Sequence, residues 1–260
     1  ELVVQRAQLA MKCALSLEHE GCAFYHPDLA SAVDPESSLI SALQHAITDN
    51  QLSLMFQPVV DRQGKIVSAE VLSRWYLPNG EIVPVAQFIR LAEHNGLIAA
   101  LDLNVADRVC QLVKKFKQQG IILPRMTLNI STLSFCQADF VDQFITLVRS
   151  YELDDKQLGV ELAEGILLTA NAFVEPRIRQ LTEAGIAITL DDFGAGQCAL
   201  SCLHHYPLTE VKLDLHCAAS LLVDASWSQA LIQSIQSFKL PIVAKGVESV
   251  QQQQLFTALG

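Results

Sequence analysis

AITLDD, residues 187–192, is a short apolar run that closes on two adjacent aspartates. The same design recurs along the chain. Candidate strands at 53–60, 66–72, 126–130, 158–162, 210–213 and 242–244 carry or run into Glu70, Asn129, Glu161, Lys212 and Lys245, as 187–191 runs into Asp191 and Asp192. Helical patterns lie between most of them, at 86–94, 101–119, 140–150, 173–184, 200–205, 228–238 and 251–259. Short apolar strands alternating with helices predict a mostly parallel sheet covered on both faces. The first two strands are joined by a tight turn around Arg62, Gln63 and Gly64. That turn is too short for a crossover helix, so these two strands should pair antiparallel. One polar strand end means little, because every strand must enter a loop. A series of them on successive strands describes the C-terminal mouth of a (β/α)8 barrel, where several strands contribute to one site. The predicted fold is α/β: a TIM-like (β/α)8 barrel with an antiparallel first strand, preceded by a helical N-terminal segment.

Composition narrows the function classes. The chain has 260 residues, half of them hydrophobic, enough for one large α/β domain or one domain with a helical appendage. It contains no apolar run of about 18 residues, so no membrane span is expected. The net charge of −10 and the lack of a dense Lys/Arg stripe argue against a nucleic-acid-binding face, which needs positive charge for the phosphates. A small anionic ligand fits only if cations are supplied at its site. The seven cysteines are odd in number and include no CxxC pair. Reduced thiols and a cytoplasmic setting follow, in a parent protein that can still be membrane-anchored. Cys198, Cys202, His204 and His205 lie close in sequence, but their spacing matches no standard zinc site.

Glu70, Asn129, Glu161 and Asp191 make an all-oxygen donor set, which suits Mg²⁺ or Mn²⁺ better than zinc. The Asp191–Asp192 pair can reach toward a second ion, and paired ions about 3.5–4 Å apart recur in phosphodiester hydrolysis. Lys212 and Asp214 share one face of their strand. A lysine there can hold a water or a phosphate oxygen, or form a salt bridge to Asp191 or Asp214.

The segments FQPVVD (56–61), AEVLSRW (69–75), LNIS (128–131), VELAE (160–164), DDFGAG (191–196), VKLD (211–214) and AKGVES (244–249) occur in one order along the chain. That set resembles the EAL phosphodiesterase family from about residue 52 onward. The resemblance implies a barrel that hydrolyses cyclic di-GMP to linear pGpG with Mg²⁺ or Mn²⁺. It implies Glu70, Asn129, Glu161 and Asp191 as ligands of a first metal, and Asp191 and Asp192 as ligands of a second. Lys212 is similar to the lysine that orients the attacking water, and Glu164 to the glutamate that braces the DDFG loop. Gln57, Leu72, Arg74 and Asp214 resemble nucleotide-contacting positions. The family's DDFG loop also contributes to dimer contacts, which admits a homodimer here. Residues 7–27, ending CAFYHP, are similar to the last helix and strand of a GGDEF domain. The expected organisation is therefore a GGDEF-like remnant plus linker at 1–38, and an EAL domain at 39–260 that stops before the family's eighth strand.

Three departures stand out, of which the first should alter only local packing. Val71 replaces the alanine of EAL; in the DDFG loop Ala195 lacks a hydroxyl, and Gln197, Cys198 and Ala199 replace a polar aromatic–serine run. Lys245 stands where the resemblance implies a glutamate ligand of the second metal. Lysine offers no lone pair while protonated, so one metal site is expected to remain and the second to be lost. The expectation is a cyclic di-GMP-binding domain with impaired catalysis. An active phosphodiesterase, or an interaction module without nucleotide binding, are the readings it competes with.

Overall fold

The computed structural model describes residues 35–168, 172–194, 200–214 and 225–259. The expected helical N-terminal segment up to residue 34, with the GGDEF-like stretch at 7–27, and Ala195, Gln197, Cys198 and Ala199 lie outside the described residues. The first described helix is α1 (Pro35–Thr48). Proline is well suited to a first helical turn, where its missing N–H costs nothing.

Strands β1 (Ser53–Val60) and β2 (Ile66–Tyr76) form the antiparallel hairpin. Its turn is held by one side chain: Asp61 Oδ1 accepts from the backbone N–H groups of Gln63 and Lys65, both at 2.9 Å. Gly64 supplies the positive φ of 78° that the turn requires. Beyond residue 72 the strand continues to Tyr76, because β3 (Ile82–Val83) folds back to pair with Trp75 and Tyr76. Helices α2 (Val85–His94) and α3 (Ile98–Gln118) follow, then β4 (Arg125–Ile130). The short α4 (Thr132–Cys136) precedes α5 (Phe140–Ser150), β5 (Leu158–Ala163) and the short α6 (Glu164–Leu168). The rest runs α7 (Val174–Glu183), β6 (Ala187–Phe193), α8 (Ser201–His205), β7 (Glu210–Leu213), α9 (Ala225–Ser237), β8 (Ile242–Ala244) and α10 (Val250–Leu259).

The sheet order is β1-β2-β4-β5-β6-β7-β8, antiparallel at the first pair and parallel thereafter. Its curvature follows from two ion pairs. Four strand spacings separate β2 from β7, about 19 Å in a flat sheet. Yet Lys212 Nζ on β7 lies 2.6 Å from Glu70 Oε2 on β2. Arg125 on β4 likewise reaches Glu210 on β7 at 2.9 Å. The sheet therefore curls into a TIM-like barrel with polar groups meeting across its interior. The helices cover the outside with apolar faces: Leu101, Val105, Val109 and Val113 of α3 are buried at helical spacing. Trp75 and Phe88 meet edge to face at 6.2 Å where β2 packs on α2. No helix among the described residues is long and apolar enough to cross a membrane.

Candidate functional site

Register brings the polar strand residues onto one inner face. Gln57 pairs opposite Glu70, Glu70 opposite Thr127, Asn129 opposite Glu161, and Glu161 opposite Thr189. Side chains two apart on a strand share a face, so Thr127 and Asn129 line the same side, as do Glu210 and Lys212.

Lys212 is the hub. Its side chain is 2 % exposed, and Nζ donates to Glu70 Oε2 at 2.6 Å and Glu161 Oε1 at 2.5 Å. Thr127 Oγ1 donates to the same Glu161 oxygen at 2.6 Å, and Asn129 Nδ2 donates to Glu70 Oε1 at 2.8 Å. Burial pushes the Glu161 carboxyl up to about 7, against the pull of Lys212. Burial also works against charge on Glu70 and Lys212. For Glu70, hydrogen bonds from Lys212 and Asn129 outweigh it and hold the carboxyl below its usual range. For Lys212, the two glutamates outweigh it and hold the ammonium above its usual range. Sequence left Asp191 and Asp214 as candidate salt-bridge partners of Lys212; the curled sheet gives it Glu70 and Glu161 instead.

A second cluster sits at the ends of β6 and β8. Lys245 Nζ donates to Asp191 Oδ1 at 2.8 Å and also to Asp192 Oδ1. Consecutive residues of a regular strand point to opposite faces, so one ammonium should not reach both aspartates. A register shift between Leu190 and Phe193 resolves this, with Asp192 in the left-handed region at φ 55°. The bulge turns Asp192 toward the same ammonium as Asp191. Burial opposes charge on Lys245, and the two aspartates outweigh it, so its ammonium is also held above the usual range.

The remaining candidates surround these clusters. Glu164 Oε2 accepts from the Gly194 backbone N–H at 3.1 Å, tying α6 to the end of β6. Asp214 follows β7, its backbone N–H bonded to Phe193 at 3.1 Å. Gln57 is exposed, while Leu72 and Arg74 are half-buried farther along β2, with Arg74 Nη1 donating to Ser73 O at 2.9 Å. Glu248 is exposed. Of the cysteine and histidine stretch, Cys198 lies outside the described residues, Cys202 is a free thiol, and His205 pairs with Glu175 at 2.7 Å. Two groups escaped the reading of strand ends. Thr127 sits two residues before Asn129, and that period-two spacing was the available signal. Behind Asn129, Ser131 donates its backbone N–H to Asp102 at 3.1 Å and its hydroxyl to Glu93 at 2.9 Å. Only tertiary packing reveals that link.

The donor chemistry differs between the two metal positions that the resemblance implies. The first fits a hard cation: Glu70, Glu161, Asn129 and Asp191 are oxygen donors, and Glu161 Oε2 is buried without a hydrogen-bond partner. The second does not fit, because the residue standing where the resemblance implies its further carboxylate is Lys245, whose ammonium offers no lone pair and lies on the two aspartates. No three His, Cys, Asp or Glu side chains converge in metal-holding geometry among the described residues. Lys212 lies on Glu70 and Glu161, and Lys245 on Asp191 and Asp192.

A model of the EAL domain family matches residues 40–260. The oxygen sensor protein DosP of Escherichia coli (strain K12) is 32% identical over 237 residues, covering 89% of this chain and 30% of DosP. The bifunctional diguanylate cyclase/cyclic di-GMP phosphodiesterase MucR of Pseudomonas aeruginosa is 29% identical over 264 residues, covering all of this chain and 38% of MucR. The chain thus spans about a third of the length of these relatives. The phosphodiesterase structure of MucR in complex with c-di-GMP superposes with a TM-score of 0.78 at 30% identity, covering 86% of this chain and 92% of that one.

Proposed function

Because this chain belongs to the EAL domain family, we propose that it is the cyclic di-GMP-binding domain of a bacterial signalling protein whose hydrolytic step is suppressed. The ligand class draws support from the similarity to MucR, whose phosphodiesterase structure holds c-di-GMP. It draws further support from the polar mouth, with Gln57 and Arg74 beside Glu70 on the first two strands. Arg74 presents a planar fork suited to a phosphate, and Asp214 offers an acceptor for a guanine edge.

The observation that carries the suppression is Lys245 on Asp191 and Asp192. At 4 Å and an effective dielectric near 20, two unit charges interact by about 4 kcal/mol, and a divalent ion doubles that. A second ion at these aspartates would have to displace the lysine or bear that repulsion. Glu70, Asn129, Glu161 and Asp191 would hold a first Mg²⁺ or Mn²⁺. Such an ion, when bound, neutralises phosphate charge and lowers the pKa of a coordinated water. Lys212 and Thr127 orient Glu161, Glu164 ties the end of β6, and Lys245 neutralises the aspartates without providing a coordination site.

The test is turnover of cyclic di-GMP to pGpG with saturating Mn²⁺, for wild type and Lys245→Glu. Wild type is expected to turn over very slowly. Lys245→Glu, which restores an oxygen donor, should raise the rate by more than about tenfold, or about 1.4 kcal/mol in the barrier. Robust wild-type turnover would make the domain an ordinary phosphodiesterase. Nucleotide binding by neither protein would favour an interaction module.

A further inference from the structure

We propose that the pole of the barrel opposite the mouth docks on an anionic lipid surface. The parallel strands begin at this pole, and β1, running the other way, ends there. Its centre is the connection between α3 and β4. Gly120, at a φ of 76°, turns the chain out of the helix, and the Ile121 N–H returns to Phe116 O at 3.0 Å. Ile121 and Ile122 are thereby carried past the helix end. Ile122 is 87 % exposed, more than any other large apolar side chain among the described residues. The neighbouring strand adds to them: Arg125, which opens β4, pairs with Ser68 of β2, and the two residues before Ser68 are the exposed Ile66 and Val67. Val60, opposite Ile66, is exposed too. Single exposed aliphatic side chains are ordinary on a protein surface; five gathered at one pole mark an interaction surface.

Charge decides what this surface fits. The chain as a whole carries −10, yet cations flank the five residues. Arg62 and Lys65 are exposed in the hairpin turn between Val60 and Ile66, and Lys115 and Lys117 are exposed in the last turn of α3. Of the acids at this pole, Asp61 is taken up by the N–H groups of its own turn, and Asp154 pairs with Lys117 at 2.7 Å. Glu152 and Asp155 share the loop before β5 with Lys156. The five apolar residues are all Ile or Val, and three of the four flanking cations are Lys. Protein interfaces favour aromatic residues and Met and are depleted in Lys. A bilayer surface suits the set better: branched aliphatic side chains enter the acyl boundary, while Lys and Arg reach anionic headgroups and keep their stems against apolar surface. Docking by this pole leaves the mouth, at the other end of the strands, open to solution.

Co-sedimentation of the protein with vesicles tests this, with no nucleotide present, so that the outcome is independent of the ligand proposed for the mouth. The vesicles are phosphatidylcholine alone or an equal mixture with phosphatidylserine. The protein should pellet with the mixed vesicles at low salt, stay in solution with phosphatidylcholine alone, and be released from the mixed vesicles at high salt. Ile122→Ser, a surface change that should leave Tm unaltered, should lower partitioning at least about tenfold. Lys65→Gln combined with Lys115→Gln should do the same. A protein that does not pellet with the mixed vesicles, or partitioning that Ile122→Ser leaves undiminished, would overturn the proposal. So would a dimer in sedimentation equilibrium that Ile122→Ser dissociates, since the surface would then belong to a second copy of the chain.

Discussion

Asp102 shows how a residue outside the mouth can shape it. It lies inside α3, is 6 % exposed, and accepts the backbone N–H of Ser131, two residues beyond Asn129. Burial raises its carboxyl from an ordinary 3.8 to about 7, and nearby Glu93 adds to the shift against the hydrogen bonds that oppose it. An acid whose folded pKa exceeds its unfolded value binds more protons when folded. Its contribution to stability is then complete below pH 4 and is lost as pH rises toward 7. The slope is at most about 1.4 kcal/mol per pH unit in that window. Asp102→Asn keeps the acceptor for Ser131 and removes the titration. The difference in Tm between wild type and Asp102→Asn should therefore change steadily from pH 4.5 to pH 7.5, with the variant gaining at the alkaline end. Parallel profiles would show that Asp102 does not titrate in this range. Glu161 was legible from its place at a strand end, whereas Asp102 was not, because its meaning comes from a loop that only the fold brings alongside.

At the scale of elements, β5 is the strand that cannot widen. A Cβ on Gly159 would meet Thr127 Cγ2 at 3.1 Å, and Ala187 Cβ and O both at 3.3 Å. Thr127 is the residue that donates to Glu161, so crowding at Gly159 would be felt at the site as well as in the core. Gly159→Ala should lower stability by about 1–3 kcal/mol, the usual cost of overpacking, read as a lower urea midpoint with unchanged m. An unchanged midpoint would mean that the sheet relaxes freely there. Most elements of this size were readable in the sequence. Apolar runs and a one-turn connection were enough to give the strands and the antiparallel first pair. Helices α4 and α6, five residues each, follow within a residue of the ends of β4 and β5, so their short apolar patterns merge with those of the strands. Ser131 caps α4 by accepting from the Leu133 N–H at 3.2 Å, a signal visible only once a helix is known to begin there. The bulge at Asp191–Asp192 was equally hidden. The DDFG letters do not say that both aspartates face one way; the pairing of β6 with β7 does.

Across the whole molecule, the barrel interior is organised as stacked charge pairs rather than as an apolar plug. Arg125 and Thr189 engage Glu210 at one level, while Lys212 joins Glu70 and Glu161 at the next. Lys245 closes over Asp191 and Asp192 at the strand ends. Buried pairs of this kind add little net stability, but removing one partner is costly because it strands the other charge. They also fix where each carboxylate points, and that order is what a ligand would meet. On the function proposed above, this mouth should retain cyclic di-GMP and leave it intact. Equilibrium dialysis of labelled cyclic di-GMP against the protein in Mg²⁺, followed by chromatography of the retained nucleotide, tests both parts together. Nucleotide should concentrate on the protein side and be recovered in cyclic form; nucleotide that is not retained, or that returns as linear pGpG, would overturn that function.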